Sequence, residues 1–588
     1  MSNKFYESPK ANLFLDLITG LASNEIICHV TRVGGGFGGK ESRNIIPCIT
    51  VALAAYDLQM PVRLCLTRAE DMKLTGHRHP FKIVYKIGFL HSGKLKSLDL
   101  CLYGNGGYST DSSLIMIERA MLHCDNIYKC ENMRVRGRIC RTNLPSNTAM
   151  RGFGCPQGLL ASELIMDQVC SYLQTNYEQS IIRELNIYEP NEKTHFSQAI
   201  KRKDWHVPKM WKNLKETALY EQRLRDVEEF NEKNEFRKRG LSMIGTKFGI
   251  GATSALFFHQ AGALVNIYND GSVLITHGGV EIGQGLQMKM LQITAEQLGI
   301  DISLVRLHET ATDKIPNTTP TVGSLSSDLY GPALIDACQQ LNKKLAPLKV
   351  KHPTLTWQKL IEQAYYERIQ LFANGFYIVP EKFLKHNWEK NDVNFMYFTQ
   401  GVGMSEVEID CLTGDFHILR TDILMDFGKS LNPFIDIGQI GEFISLCTGA
   451  FMQGVGYLTL EELVQGDSQH PWISECGSLD NADPNKYKIP MANDIPIDFR
   501  ITLLNAHESS DHAVCYSSKA VGEPPLFLSA TVFFAIKRAI SAYRQGKEPF
   551  ALNIPATCER IRMACRDQIV DSIIPENKDK EFQPCGSF

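Results

Sequence analysis

Apolar residues alternate with polar ones in some stretches of the chain and recur every three to four residues in others. Both strands and amphipathic helices are therefore expected. "FKIVYKIGFL" (81–90) and "KLKSLDLCLYGNGGYS" (94–109) read as strands around the turn "HSG". "GALVNIY" and "SVLITHGG" (262–279), joined by Asn-Asp-Gly, read as a hairpin. "MSEVEIDCLTGDFHILRTDILMD" (404–426) reads as another. Helical recurrence covers Ile45 to Met60, "PQGLLASELIMDQVCSYL" (156–173) and "LFLSATVFFAIKRAISAYR" (526–544). Pro156 falls in a first turn, where its missing N–H costs nothing.

This order predicts an α+β (mixed α/β) chain in two lobes, residues 1–188 and 241–545. Between them, 189–240 turns charged with acids and bases mixed, and is expected to form solvated bridging helices. Residues 546–588 are expected to add a C-terminal helix and a loose polar tail.

Composition narrows the function classes. With a net charge of −3 over 588 residues, no global field recruits nucleic acid or acidic membranes. No run of about 18 apolar residues suggests a membrane span, and the first residues lack the order of a secretory signal. The 17 cysteines are scattered without a CxxC pair, which predicts reduced thiols in a cytoplasmic setting, with no zinc site or iron–sulfur cluster held by this chain. "GHRH" (76–79) reads as turn or core histidines.

The chemistry is concentrated in glycine-rich joints where a strand pattern meets a helix pattern. They are "GGGFGGKE" (34–41), "MRGFGCPQG" (150–158), "HGGVEIGQGLQMKM" (277–290), "VGSLSSDLYG" (322–331), "DIGQI" (436–440) and "SSKAVGEPPLF" (517–527). Such joints present backbone N–H groups to anions, and six with interleaved Gln, Ser, Arg and Lys suit one large anionic cofactor. Taken alone, Glu523 reads as an acid at a helix N-terminus, and Arg119 as a partner of nearby Glu118.

Together, "GGGFGGKE", "SNTAMRGFG", "GQGL", "EVEIDCLTGD" and "SKAVGEPPLFL" make the chain closely resemble the molybdenum-cofactor portion of the xanthine dehydrogenase/aldehyde oxidase family of molybdenum hydroxylases, from about Asn12 to Cys565. The resemblance implies a two-lobed molybdopterin-binding fold with the cofactor between the lobes, its metal held by the pterin rather than by side chains. It implies that the backbone at Phe37, Gly38, Arg151 and Gly323 approaches the metal, the side chain being excluded at the glycine loop for that reason. Gln284, Ser324, Ser327, Gln439 and Lys519 would face the pterin and its phosphate. Glu523 matches the family's catalytic base. Glu41 and Arg119 match the purine-binding pair of xanthine dehydrogenases, Phe153 would stack on a flat heterocycle, and Thr253 matches a further substrate contact. Implied with these are hydroxylation of a purine (hypoxanthine/xanthine to urate type) with water as oxygen source, 2Fe-2S clusters and FAD on domains absent from this chain, and a homodimer. The alternatives are an aldehyde oxidase-like hydroxylase of aldehydes and N-heterocycles, or a non-catalytic remnant.

The chain departs from the family pattern in four places. It is expected to begin inside the first lobe, without the upstream domains. Tyr6 stands where the family has a glutamine near the metal, and Ala252 where it has the second aromatic of a purine sandwich. Residues 441–448 form an insertion beside Gln439, expected to crowd the cofactor.

Overall fold

The computed structural model describes residues 18–30, 32–173, 179–251, 258–383, 395–441, 449–466, 475–504, 515–546 and 549–573. Strands β1 (Phe81–Phe89), β2 (Leu95–Gly107) and β3 (Asn132–Arg141) form one sheet, in which β1–β2 is antiparallel and β2–β3 parallel. Of the strands that follow, those in the two larger sheets are β4 (Arg237–Ile250), β5 (Gln260–Ile267), β6 (Val273–His277), β7 (Val305–Leu307) and β8 (Phe372–Ile378). The last three are β9 (Tyr397–Asp410), β10 (Phe416–Asp426) and β11 (Asp498–Leu503). They make two four-stranded sheets, ordered β8-β5-β6-β7 and β11-β10-β9-β4. The hairpins β1–β2, β5–β6 and β9–β10 fall where the alternation places them.

The β4–β9 ladder is the spine of the second half. It is antiparallel from Tyr397↔Ile250 to Asp410↔Arg237, and β4 is buried continuously from Gly240 to Ile250. Helix Ala530–Tyr543 lies across it, so close at Gly240 that a Cβ there would sit 2.0 Å from the Ala535 carbonyl oxygen. Together with the turn Pro524–Ser529, this helix is long and apolar enough to cross a membrane, contrary to the expectation of no such run. Its burial among core residues such as Ile275, Leu341 and Phe451 identifies it as a core helix.

A second apolar cluster gathers Leu100, Leu102, Ile165 and Met166 with Met210, Trp211 and Met243. It corrects the reading of 189–240 as merely solvated. Helix Val207–Thr217 buries Val207, Met210, Trp211 and Leu214, an i, i+3, i+4, i+7 stripe hidden among its charges. Strand β4 already begins at Arg237, inside the charged stretch.

The histidines of "GHRH" are indeed core or turn groups. His77 Nε2 meets the Met72 carbonyl at 3.0 Å, and His79 Nε2 meets the Ser113 hydroxyl at 2.8 Å. Burial pushes His79 down to about 4.

Candidate functional site

All six glycine-rich joints border one cavity of about 880 Å³. Its walls include Phe37, Gly38, Glu41, Arg119, Arg151, Phe153, Gln284, Gly323, Ser324, Ser327, Gln439, Lys519 and Glu523. Tyr6, Ala252, Thr253 and residues 442–448 lie outside the described residues. At the base of the insertion Gly441 and Gly449 are packed together, with a Cβ on Gly449 falling 2.3 Å from the Gly441 Cα.

The loop that opens the cavity is fixed by the chain itself. Phe37 has φ +52° and its carbonyl accepts the Arg151 N–H at 2.7 Å. Gly38 has φ +96°, and a Cβ there would lie 2.6 Å from the Ala149 carbonyl oxygen. A side chain at Gly38 is thus already excluded by the chain's own backbone. Gly34 and Gly283 behave differently: a Cβ on either meets nothing within 4 Å, and both border the cavity. Beside Glu41, whose N–H closes a turn on the Gly38 carbonyl, the Ser42 and Thr148 hydroxyls each donate to Asp111 at 2.6 Å.

Arg151 ties the two halves together. Its Nε donates to the Gly522 carbonyl (2.6 Å), Nη1 to Gln453 Oε1 (3.1 Å), and Nη2 to Gln439 Oε1 (3.1 Å). Glu523 stands just before the turn Pro524–Ser529, but its carboxylate makes no cap there. Oε1 instead accepts the Gly152 N–H at 2.9 Å and Oε2 the Ser324 hydroxyl at 3.1 Å.

Arg119 does not pair with Glu118. It is 7% exposed on helix Ser113–His123, with Nη1 donating to the Gly251 carbonyl (2.9 Å) and Nη2 to that of Gly249 (2.8 Å). The guanidinium lies over the rings of Phe395 (5.1 Å) and Phe248 (5.6 Å). Cys155 stands near both Arg119 and Glu523, and burial pushes its thiol up to about 12.

The remaining polar walls are largely pre-engaged. Lys519 Nζ pairs with buried Asp426 at 2.5 Å. Gln284 folds back on its own loop, accepting the Ile282 N–H (2.7 Å) and donating to Val280 (2.9 Å). Two wall residues, Lys289 and Asp328, escaped sequence reasoning although their motifs were noticed. Lys289 pairs with Asp436 at 2.7 Å, and Gln453 lies close by as an Arg151 acceptor. Asp328 accepts the Tyr397 hydroxyl at 2.6 Å, and burial pushes its carboxyl up to about 7. The aspartate in "SSD" was the available signal.

These donors suit a large, partly anionic, planar group. The volume is that of a cofactor site, open glycines at 34 and 283 leave room for close approach, and amides, hydroxyls and backbone N–H groups outnumber free charges.

Residues 10–187 and 213–496 each match a molybdopterin cofactor-binding domain. The chain is 47% identical over 563 residues to xanthine dehydrogenase of Drosophila pseudoobscura pseudoobscura, covering 95% of this chain and 40% of that protein. It is 47% identical to xanthine dehydrogenase/oxidase of Mus musculus, covering 95% and 41%. The chain thus spans about two fifths of the length of the curated relatives it matches. Among solved structures, the aldehyde oxidoreductase from Desulfovibrio gigas superposes with a TM-score of 0.80 at 22% identity, covering 96% of this chain and 57% of that one, a likeness of fold. With two cofactor-domain matches along its length and near-half identity to xanthine dehydrogenases, the chain belongs to the xanthine dehydrogenase/aldehyde oxidase family, of which it carries the C-terminal, molybdenum-cofactor-binding portion.

Proposed function

We propose that this chain hydroxylates a purine of the hypoxanthine/xanthine type, drawing oxygen from water and passing electrons to iron–sulfur and flavin centres outside it. The observation that carries this reading is the meeting of the Glu523 carboxylate, the Arg119 guanidinium and the Phe153 ring at one cavity walled by both halves of the chain. Phe37, Gly38, Arg151 and Gly323 by backbone, and Gln284, Ser324, Ser327, Gln439 and Lys519 by side chain, would hold the molybdopterin. When bound, the cofactor supplies the two-electron oxidation that purine hydroxylation requires.

The chain's own residues handle protons and orientation. A carboxylate has about four lone-pair sites, and the Gly152 N–H and Ser324 hydroxyl take one on each Glu523 oxygen. The rest are free to accept a proton, with the carboxylate already aimed, as general-base catalysis requires. Arg119 keeps N–H groups beyond the two used on strand β4, and its positive charge would steady a purine oxygen that gains charge during attack. Phe153 offers a flat face to the ring.

One observation favours the second reading, an aldehyde- or N-heterocycle-oxidising enzyme: two of Arg119's donors are already committed to carbonyls. Glu523→Gln in the cofactor-loaded chain, assayed with an artificial electron acceptor, tests the mechanism. Turnover should fall by about 10²–10⁴-fold with cofactor content unchanged, whereas near-normal purine oxidation would remove Glu523 from its role. A cytoplasmic, homodimeric setting completes the proposal, the compartment resting on the cysteine pattern.

A further inference from the structure

Behind the Glu523 contact stands a cation that the proposed mechanism does not use. Arg78, from "GHRH", sends Nη2 to the carbonyl oxygen of Arg151 at 2.7 Å. That carbonyl and the Gly152 N–H bonded to Glu523 Oε1 at 2.9 Å belong to one and the same peptide group. We propose that Arg78 is a positioning residue for Glu523, acting through the 151–152 peptide: its charge polarises the carbonyl, and the polarised N–H orients the carboxylate.

The physics is that of hydrogen bonds in series within a poorly hydrated site, where a charged donor at one end strengthens the donor at the other. The two oxygens of Glu523 are then held unequally. One meets a peptide N–H backed by a guanidinium, the other a neutral hydroxyl, and the second is the freer to take a proton. Arg78 is suited to this work by what it lacks. Its Nη1 is sealed from solvent with no hydrogen-bond partner among the described residues, and no carboxylate among them lies within ion-pairing distance of it. Tyr457 covers the guanidinium face at 4.6 Å.

The charged and titratable groups around Arg78 include His79, Tyr457, Glu461, Tyr487 and Glu523. Glu461 is raised by burial and accepts the Tyr487 hydroxyl at 2.9 Å. On the other side, Glu523 faces the Cys155 thiol, which burial keeps neutral. Among the described residues, no other side chain combines a hydrogen bond to this peptide with a charge that lacks an ion-pair partner.

The inference rests on the reading of Glu523 as the base, and the test separates the two. In purified chain carrying ¹³C-labelled glutamate, the infrared carboxylate band lost in Glu523→Gln is that of Glu523. In Arg78→Met this band should shift in frequency, because a weaker Gly152 N–H bond holds the two carboxylate oxygens less unequally. In Arg78→Lys, which keeps a charge in the same slot and so protects the fold, it should shift by an intermediate amount. A band at unchanged frequency in the variants that fold would overturn the relay, even if Glu523→Gln abolishes turnover. Should Glu523→Gln retain turnover while the band still moves, the relay stands and the base assignment falls.

Discussion

Lys519 and Arg119 border the same cavity, yet they are held in opposite ways. The Lys519 ammonium is closed onto Asp426, a carboxylate 1% exposed, so the pair enters the cavity nearly neutral. Arg119 meets neutral carbonyls, aromatic faces and the neutral Cys155 thiol, and among the described residues no carboxylate pairs with it. A positive residue bordering a ligand site is therefore not automatically a ligand. Lys519 acts first as the counter-ion that lets Asp426 be buried, whereas Arg119 retains its full charge for whatever enters. Lys289, closed onto Asp436, repeats the Lys519 arrangement.

The comparison is most sharply tested by removing each charge. Lys519→Met strands Asp426 and should destabilise the chain by about 3–5 kcal/mol in urea unfolding. Arg119→Met strands no charge. It should leave unfolding much less affected and lower purine turnover by about 2–4 kcal/mol in transition-state terms, with little effect on an aromatic aldehyde. Equal unfolding losses in the two variants would break the distinction.

A paired glycine substitution sharpens the same contrast between residues that build the wall and residues that face the ligand. Gly38→Ala forces a side chain into the Ala149 carbonyl at a positive φ and should cost about 1–3 kcal/mol of stability. Gly34→Ala meets open space and should leave stability within about 0.5 kcal/mol while reducing molybdopterin content, measured by pterin fluorescence after release. A Gly34 variant that loads normally would show that the cofactor does not approach that position.

A further contrast is Asp328, a bordering carboxyl with no cationic partner at hydrogen-bonding range among the described residues. Its folded-state carboxyl titrates at about 7 against an ordinary 3.8, so between these values the folded chain keeps a proton that the unfolded chain releases. Stability from this group is complete below about pH 4 and declines as pH rises toward 7, by at most about 1.4 kcal/mol per pH unit. Asp328→Asn should flatten that part of the stability–pH curve, and an unchanged slope would place the dependence elsewhere.

What was legible in the chain follows from the range of the interactions. The hairpins and the helix that runs Ile45–Leu58 are local, and the alternation and turn residues suffice for them. The convergence of six joints was legible because glycine at a strand–helix junction reports close approach wherever the partner lies. Which partner was not legible. Gly38 is pressed by Ala149, more than a hundred residues away, and Lys519 is claimed by Asp426 across the fold. Nothing local distinguishes those contacts from contacts with a ligand. The buried stripe at Val207, Met210, Trp211 and Leu214 was present in the sequence but masked by a high density of charge. Arg78 escaped notice because its work passes through a peptide group, which carries no residue identity.

The grip of Arg151 also sets a schedule for biosynthesis. Its guanidinium closes on Gln439, Gln453 and Gly522, so the first half of the chain has its anchor some 288 to 371 positions before the residues that complete it. A ribosome delivers the N-terminal lobe first, and that lobe must wait, with a buried-type arginine exposed, until nearly the whole chain has emerged. A nascent chain halted before Gly522 lacks the Gly522 acceptor of Arg151 and the Glu523 wall of the cavity.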